Sequence, residues 1–185
     1  MTDSETFALY VLDRPPSIQD ELPAGYTFSA WHPSLRQPVP PSLGWKFSTW
    51  TLFHFAHLFP NREYHVVYVR CGGRIVHRSC VLPRYFRWPF MSHQDLHVSS
   101  TWTEPEFRGR GLASVALAHV ATTMLVPGRR IWYATRKSNI PSIRTCTRVG
   151  FTLSGYARRT ATVGLRSLGQ LTPIVKSPLP GESQI

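Results

Sequence analysis

Acidic side chains are scarce in this sequence, whose 185 residues include 10 Asp and Glu against 21 Lys and Arg. The formal net charge of +11 favours an anionic partner: nucleic acid, an anionic membrane surface, or a phosphorylated cofactor or substrate. The basic residues are dispersed along the chain and form no Lys/Arg-rich run. This dispersal argues against nucleic acid as the partner.

Long apolar runs and paired cysteines are also missing. No apolar run approaches the ~20 residues that a membrane-spanning helix needs, and the acidic, polar start of the chain does not resemble a secretory signal. Cys71, Cys80 and Cys146 are an odd number without paired spacing, which argues against a disulfide framework, although Cys71 and Cys80 flank a predicted hairpin. We therefore expect a cytoplasmic protein with reduced cysteines and no transmembrane segment.

The composition indicates a folded chain of one domain. Apolar residues make up 42% of the sequence and charged residues only 17%, which is too apolar for general disorder. The length also suits a single domain. We predict one domain over residues 1–172 and a flexible, proline-containing tail over 173–185.

Local patterns alternate between strands and helices. β-Branched and aromatic runs predict strands over residues 25–31, 64–70, 74–82, 95–103 and 131–135, with one or two closing strands over 151–163. Apolar residues at helical spacing, together with capping residues, predict helices over 48–58, 108–125 and 139–149. The apolar run at 7–12 is assigned to neither. This order is typical of an α/β domain that contains one antiparallel hairpin.

The clearest functional pattern is the segment PEFRGRGLA at 105–113, which leaves a predicted strand and enters a helix. Its two glycines allow a tight bend, and the first helical N–H groups, which lack internal partners, form an anion site with the helix dipole. Arg108 and Arg110 add charge suited to phosphate oxygens. The segment lacks the Gly-Lys-Ser/Thr of nucleotide loops and the third glycine of the dinucleotide fingerprint. We predict a phosphate or pyrophosphate at 108–113.

A second pattern lies at the helix predicted over 139–149. Asn139 is a good N-cap and Gly150 a good terminator. In this order and spacing the two segments resemble the GNAT superfamily of N-acyltransferases, over roughly residues 62–156 and over the whole chain in outline. The family's acyl-CoA pyrophosphate loop is matched at 108–113, its fourth strand and following turn at 102–105, and its later helix and next strand at 139–142 and 148–151.

The resemblance implies a fold and a donor site. The fold class is α/β (α+β), with a mixed, largely antiparallel central sheet, helices on both faces, and splayed fourth and fifth strands that hold the acyl-pantetheine arm. Acetyl-CoA or another acyl-CoA would be the donor, and an amine of the acceptor would attack its thioester directly. The residues implied to bind the donor are Trp102, Thr103, Arg108, Gly109, Arg110, Gly111, Leu112, Ala113, Asn139 and Ser142.

One position departs from the GNAT pattern. The family often places a tyrosine four residues before the glycine that Gly150 matches, where the phenol protonates the departing thiolate. Cys146 stands there in this sequence. A thiol has a reference pKa of ~8.5, near that of the leaving group, so Cys146 is the candidate general acid. A small buried apolar residue is the alternative reading of this cysteine.

The general base is not identified by a motif. His97 is the candidate, because it lies on the polar face of the strand that leads to the thioester and its pKa suits proton removal near neutrality. Asp95 and Glu104 compete for the role. His54 and His57 lie three residues apart on a helix without a third ligand, so no metal is expected.

The acceptor is indicated least clearly. Arg84, Arg87 and Trp88 lie where the family builds acceptor contacts, and arginines beside an aromatic ring suit a phosphate and a sugar or base. Residues 77–91 also resemble GNAT members associated with surface-polysaccharide assembly. We expect a small, anionic acceptor such as a nucleotide-linked amino sugar.

Three other functions stay open at this stage. They are an aminoacyl-tRNA-dependent transferase, a non-catalytic basic module that binds nucleic acid or a membrane surface, and a CoA-sensing regulator without turnover. The acyl chain length, O- against N-acylation, and a homodimer are also left open.

Overall fold

The computed structural model describes residues 6–19, 21–160 and 169–176. Its strands join into one eight-stranded sheet in the order β2-β3-β4-β5-β6-β1-β7-β8. The strands are β1 Thr6–Leu12, β2 Tyr26–Trp31, β3 His65–Cys71, β4 Arg74–Pro83, β5 Leu96–Thr103, β6 Ile131–Arg136, β7 Thr152–Arg159 and β8 Leu171–Lys176. The helices are α1 Ser48–Phe55, α2 Leu112–Met124 and α3 Ile140–Val149, and single 3-10 turns cover Trp45–Phe47 and Pro105–Phe107.

The predicted fold class is confirmed. The pairing of β5 with β6 is parallel, and the other neighbouring pairs of the sheet are antiparallel. Helix α2 packs Leu117, Val120 and Ala121 into the core on one face of the sheet. On the other face, Trp50 and Phe53 of α1 pack against a second core. The sheet therefore carries helices on both faces.

Strand β1 is the element that the sequence analysis missed. It lies inside the sheet, antiparallel to β6 on one side and to β7 on the other. Tyr10 and Leu12 enter the core under α2, whereas Leu9 and Val11 enter the opposite core. A strand that is buried on both faces reads as a continuous apolar run without alternation, so its pattern alone does not separate it from a buried helix segment.

Strands β5 and β6 splay, as the resemblance implied. They pair at only three positions, from Leu96 opposite Ile131 to Val98 opposite Tyr133, and then separate. Past this point β5 shifts its register against β4, and Ser100 has a φ of 50°. An irregularity of this kind bends a strand and increases its local twist. A gap therefore opens between the carboxyl ends of the two strands, which are the fifth and sixth along this chain because β1 precedes them.

The carboxyl end of the described chain also differs from the prediction. Strand β8 includes positions 173–176, which the sequence analysis assigned to the tail, and it pairs with β7 at the edge of the sheet. Proline is tolerated on such an edge strand. Positions 161–163 of the predicted closing strands and 177–185 of the predicted tail lie outside the described residues.

Cys71 and Cys80 do not approach each other across the hairpin. Cys71 lies opposite Arg74 beside the turn, whereas Cys80 lies opposite Val66 farther along the ladder. The three cysteines are free thiols. Within the described part of the chain, the helices are all too short or too polar to cross a membrane.

Candidate active site

The gap between β5 and β6 opens into a cavity of about 600 Å³, bounded also by the segment before α2 and by α3. Nine of the ten residues predicted to bind the donor line it: Trp102, Thr103, Arg108, Gly109, Gly111, Leu112, Ala113, Asn139 and Ser142. The tenth, Arg110, turns its guanidinium away. It donates to the Tyr26 hydroxyl at 3.1 Å and to the Glu106 carbonyl at 3.2 Å, and it lies over the Phe107 ring.

The segment before α2 is shaped by two left-handed glycines. Gly109 has a φ of +77° and Gly111 a φ of +78°, a region that side chains other than glycine rarely adopt. Gly111 is the N-cap of α2, and its carbonyl accepts from the N–H groups of Ser114 and Val115. The preceding N–H groups at the cavity have no carbonyl one turn earlier in the helix, so they are donors for an anion.

Positive charge surrounds the mouth of the cavity. Arg108, Arg144 and Arg148 line it, and among the described lining residues there is no carboxylate. Arg108 donates through Nε to the Thr103 carbonyl at 3.1 Å, which ties the segment to the end of β5. The Arg148 guanidinium lies 4.0 Å from where a Cβ on Gly111 would stand. The sequence analysis missed Arg144 and Arg148 as site residues, although their i, i+4 spacing on one helix would have placed them on one face.

Helix α3 begins as predicted. The Asn139 side chain accepts from the Ser142 N–H at 3.3 Å and caps the helix, and Gly150 ends it with a φ of 105°. Ser142 is thereby held at the cavity, and its hydroxyl is close enough to the Tyr133 phenol to lower the pKa of Tyr133. Tyr133 lines the cavity as well and was not predicted. A single tyrosine in an apolar strand carries no pattern that would mark it.

A chain of hydroxyls and one imidazole runs along the face of the sheet beneath the cavity. It starts at Thr101, whose hydroxyl is close enough to the Tyr133 phenol to lower the pKa of Tyr133. The Thr101 hydroxyl lies 3.3 Å from Ser79 Oγ, and Ser79 Oγ lies 3.0 Å from His77 Nε2. His77 Nδ1 lies 2.8 Å from the Thr103 hydroxyl, which lines the cavity again. The chain therefore begins and ends at the cavity.

The strict alternation predicted for 95–103 is wrong beyond Val98. It placed Thr101 and Thr103 on the same face as His97, but both threonines line the cavity beside α2, and His97 packs against Trp88 in the opposite core. The irregularity at Ser100 is the cause, because one bulged residue reverses the facing of every later side chain.

His97 is buried and lies outside the cavity. Its ring centroid is 3.9 Å from that of Trp88, and neither ring nitrogen has a hydrogen-bond partner in the described part of the chain. Burial, with a smaller effect of Arg87, lowers the pKa of His97 to about 3. The imidazole is therefore neutral at physiological pH and a weak base.

The other candidates for proton transfer have structural partners. Asp95 is fully buried and accepts hydrogen bonds from Ser92, Arg130 and Trp132. Glu104 pairs with Arg74. Cys146 is buried outside the cavity and donates to the Ile143 carbonyl at 3.2 Å, and burial raises its pKa to about 12. None of the three carries a titrating group into the cavity.

The residues predicted to bind the acceptor lie on the other face of the sheet. Trp88 is buried against His97, and the backbone carbonyl of Arg87 accepts from the Leu171 N–H. Arg84 lines a second, shallow cavity of about 400 Å³ beside α1. In the described residues, no three His, Cys, Asp or Glu side chains are gathered as a metal site.

The sequence matches the profile of the Acetyltransferase (GNAT) family over residues 26–151, more than half of the chain. No curated protein matches it as a relative. A GNAT-family acetyltransferase from Novosphingobium aromaticivorans shares the fold with a TM-score of 0.53 at 20% identity, over 84% of this chain and 62% of that chain. A GCN5-related N-acetyltransferase from Sphaerobacter thermophilus gives 0.55 at 18% identity, over 83% and 50%. This chain therefore spans one half to about three fifths of these two structures.

Proposed function

Because the chain belongs to the GNAT family of acetyltransferases, we propose that it transfers an acyl group, acetyl first among the candidates, from acyl-CoA to an amine of a small anionic acceptor. The observation that carries the proposal is the cavity at the splayed ends of β5 and β6, where a helix N-terminus and three arginines converge. A site with this charge and shape suits a long, phosphorylated donor.

The residues present fit the donor. The N–H groups at 108–113 would hold the pyrophosphate, and the guanidinium groups of Arg108, Arg144 and Arg148 would neutralise its charge. The pantetheine arm would lie along Trp102 and Thr103, where β5 has left β6 and its inner edge is open to a ligand. Two left-handed glycines keep side chains away from this approach.

Catalysis would depend on position and on charge stabilisation. An amine held in line with the thioester carbonyl reacts as if it were at very high concentration, which supplies much of the acceleration. Backbone donors along the open edge of β5 would stabilise the oxyanion as it develops. The amine loses its proton to solvent or to a base on the acceptor side, and CoA leaves as the thiol.

The acceptor assignment rests on charge. The net charge of +11 favours an anionic acceptor, and Arg84 and Arg87 remain the proposed contacts from the loop that covers the second face. Trp88, which the sequence analysis also expected there, is buried against His97 and is not exposed to an acceptor. A nucleotide-linked amino sugar has the required amine, phosphate and ring. Competition by nucleoside diphosphates for acceptor turnover would support this class.

The donor is tested by thermal unfolding with and without acetyl-CoA, using Gly111→Glu as the disabled variant. At ~100 times the dissociation constant the ligand should stabilise the native protein by about 2.7 kcal/mol. The glutamate repels phosphate, and a side chain at a φ of +78° also distorts the segment. Gly128→Glu is the matched control, since Gly128 has a φ of +81° and lies outside the cavity.

Stabilisation of the native protein and of Gly128→Glu, but not of Gly111→Glu, is the expected result. Equal stabilisation of all three proteins would place the ligand elsewhere. A folded native protein that responds neither to acetyl-CoA nor to longer acyl-CoA would refute the donor assignment and would leave the tRNA-dependent and binding-module functions.

A CoA-sensing regulator is the second candidate. The burial of Cys146 outside the cavity favours it, because the position where the family often has its acidic tyrosine supplies no donor here. Release of free CoA from acetyl-CoA in the presence of a panel of amines separates the two functions. A regulator binds CoA and releases none above the buffer rate.

A further inference from the structure

We propose that Tyr133 donates the proton that the leaving sulfur of CoA takes up, and that Thr101, Ser79, His77 and Thr103 hold the phenol in place and reprotonate it. The proposal rests on the proposed function and assigns it a catalytic residue on β6 instead of on α3. In this sequence of proton transfers, each group that gives up a proton receives another from its neighbour.

Tyr133 stands at the fork of the sheet. It is the last residue of β6 that pairs with β5, opposite Val98, so its side chain lies where the two strands begin to part. It lines the cavity together with Ser142 and Thr101, and both hydroxyls are close enough to its phenol to lower the pKa of Tyr133. A thioester whose pantetheine arm follows the open edge of β5 would bring its sulfur to this fork.

The environment of the phenol suits a donor that is protonated at rest. Burial raises the pKa of Tyr133, so the O–H is intact at physiological pH. An isolated phenol, with a pKa of ~10, would give its proton reluctantly to a thiolate of pKa ~8.5. The hydroxyls of Ser142 and Thr101 act in the opposite sense and lower the pKa of Tyr133, because they stabilise the phenolate. They therefore lower the free energy of a transient phenolate.

The chain behind Tyr133 can return the proton. With His77 in its Nε2–H tautomer, Nε2 donates to Ser79 and Ser79 donates to Thr101. The Thr101 hydroxyl would then give its proton to the neighbouring phenolate. Nδ1 of His77 then accepts from the Thr103 hydroxyl. Burial lowers the pKa of His77 to about 4, so the imidazole is neutral, as a relay of this polarity requires.

The proton balance closes. The C–S bond of the thioester breaks as the amide bond forms, and the Tyr133 O–H bond breaks as the S–H bond forms. One proton then moves along each link from Thr103 to Tyr133, and Thr103 takes its proton from water. That water becomes hydroxide, and the proton that the acceptor amine releases converts the hydroxide back to water. No oxidant, metal or further reactant is needed.

The positions of the two ends of this proton path, Thr103 and Tyr133, explain why a relay would be useful. Thr103 lies at the end of β5, where its backbone carbonyl accepts from Arg108 in the anion-binding segment. Tyr133 lies at the inner end, where a bound pantetheine arm would exclude water. A path along the face of the sheet therefore connects the mouth of the cavity with the phenol beneath the donor.

The test uses CoA itself, so it needs no knowledge of the acceptor. The ultraviolet absorbance of the thiolate reports the pKa of the CoA thiol in its complex with the protein. If Tyr133 donates to the sulfur, Tyr133→Phe should raise that pKa by about one to two units, the range expected for a hydrogen bond to a charged group. Tyr10→Phe is the matched control, because Tyr10 lies opposite Tyr133 on β1, in the same core and outside the cavity.

His77 is tested as a positioning residue with the same measurement. His77→Phe removes the links to Ser79 and Thr103 and should raise the pKa of the bound thiol part of the way, whereas His77→Gln keeps a donor and an acceptor and should restore it. A purely structural histidine would lower the melting temperature in both variants without moving the thiol. If the two His77 variants do not fold, Thr101→Val takes their place, because it removes the hydroxyl next to the phenol and so interrupts the hydrogen-bonded chain.

The outcomes separate this proposal from the proposed function. Failure of the native protein to bind CoA refutes the proposed function. Tight CoA binding with the same thiol pKa in the native protein and Tyr133→Phe refutes the role of Tyr133 and leaves the donor assignment standing. A shift in Ser142→Ala but not in Tyr133→Phe gives the donor role to the serine and overturns the proposal.

Discussion

Replacing Asp95 by alanine tests whether one buried carboxylate holds the closed end of the gap. Asp95 is fully buried at the start of β5. Its two oxygens accept from the Ser92 N–H at 2.9 Å, the Ser92 hydroxyl at 2.7 Å, the Arg130 N–H at 3.0 Å and the Trp132 Nε1–H at 2.8 Å. Arg130 and Trp132 lie at the start of β6, so the carboxylate joins the two strands just before they part.

The expected loss follows from those four bonds. A hydrogen bond to a charged group contributes about 1.5–3 kcal/mol, and a buried donor left without a partner costs a further 1–3 kcal/mol, although such terms do not add fully. The guanidinium of Arg130, 3.6 Å away and partly exposed, adds little. Asp95→Ala should therefore lower the free energy of unfolding by about 3–5 kcal/mol, and Asp95→Asn by less.

Urea unfolding at neutral pH measures the change as a shift of the midpoint at constant slope. Asp13→Ala is the matched control: Asp13 is exposed and pairs with the exposed Arg14 at 3.7 Å, so its loss should stay below about 0.5 kcal/mol. A loss under about 1 kcal/mol for Asp95→Ala would show that water replaces the carboxylate, and the argument for a single clamp would fail.

Two further predictions concern charge. Arg148→Ala should weaken acetyl-CoA binding about 10-fold, as expected for one lost charged contact to phosphate, and calorimetry should show no such loss for Arg158→Ala, an exposed arginine of β7; equal affinities would remove Arg148 from the site. Burial lowers the pKa of His77 from 6.5 to about 4 and the pKa of His97 from 6.5 to about 3. Between pH 6.5 and these lower values, each histidine is protonated in the unfolded chain but not in the folded protein. The free energy of unfolding should thus fall on acidification from about pH 6.5 to 4, by up to about 1.4 kcal/mol per pH unit for each histidine. His97→Phe should remove the part of this fall that is due to His97. The same pH dependence in the native protein and in His97→Phe would contradict the burial of a neutral His97.

The residues that line the cavity were predicted more fully than those beneath it. Asn139, Ser142 and all of 108–113 except Arg110 line it, and they were expected because glycine conformation, helix capping and exposed helical N–H groups are local properties of the chain. Tyr133, Thr101, Ser79 and His77 were missed because they lie on three different strands and meet only through the sheet. The prediction for His97 depended on regular alternation, which the irregularity at Ser100 interrupts.

The sequence by itself determined the ends of α3, the hairpin, the glycine-containing segment before α2 and the family resemblance, because each depends on residues close together along the chain. Only the tertiary structure decided that β1 lies inside the sheet, that the facing of β5 reverses at Ser100, and that two threonines, a serine and a histidine form one hydrogen-bonded chain below the cavity. Those features depend on which strands become neighbours and in which register. Pairing is decided by burial over the whole molecule, and no short stretch of sequence contains that information.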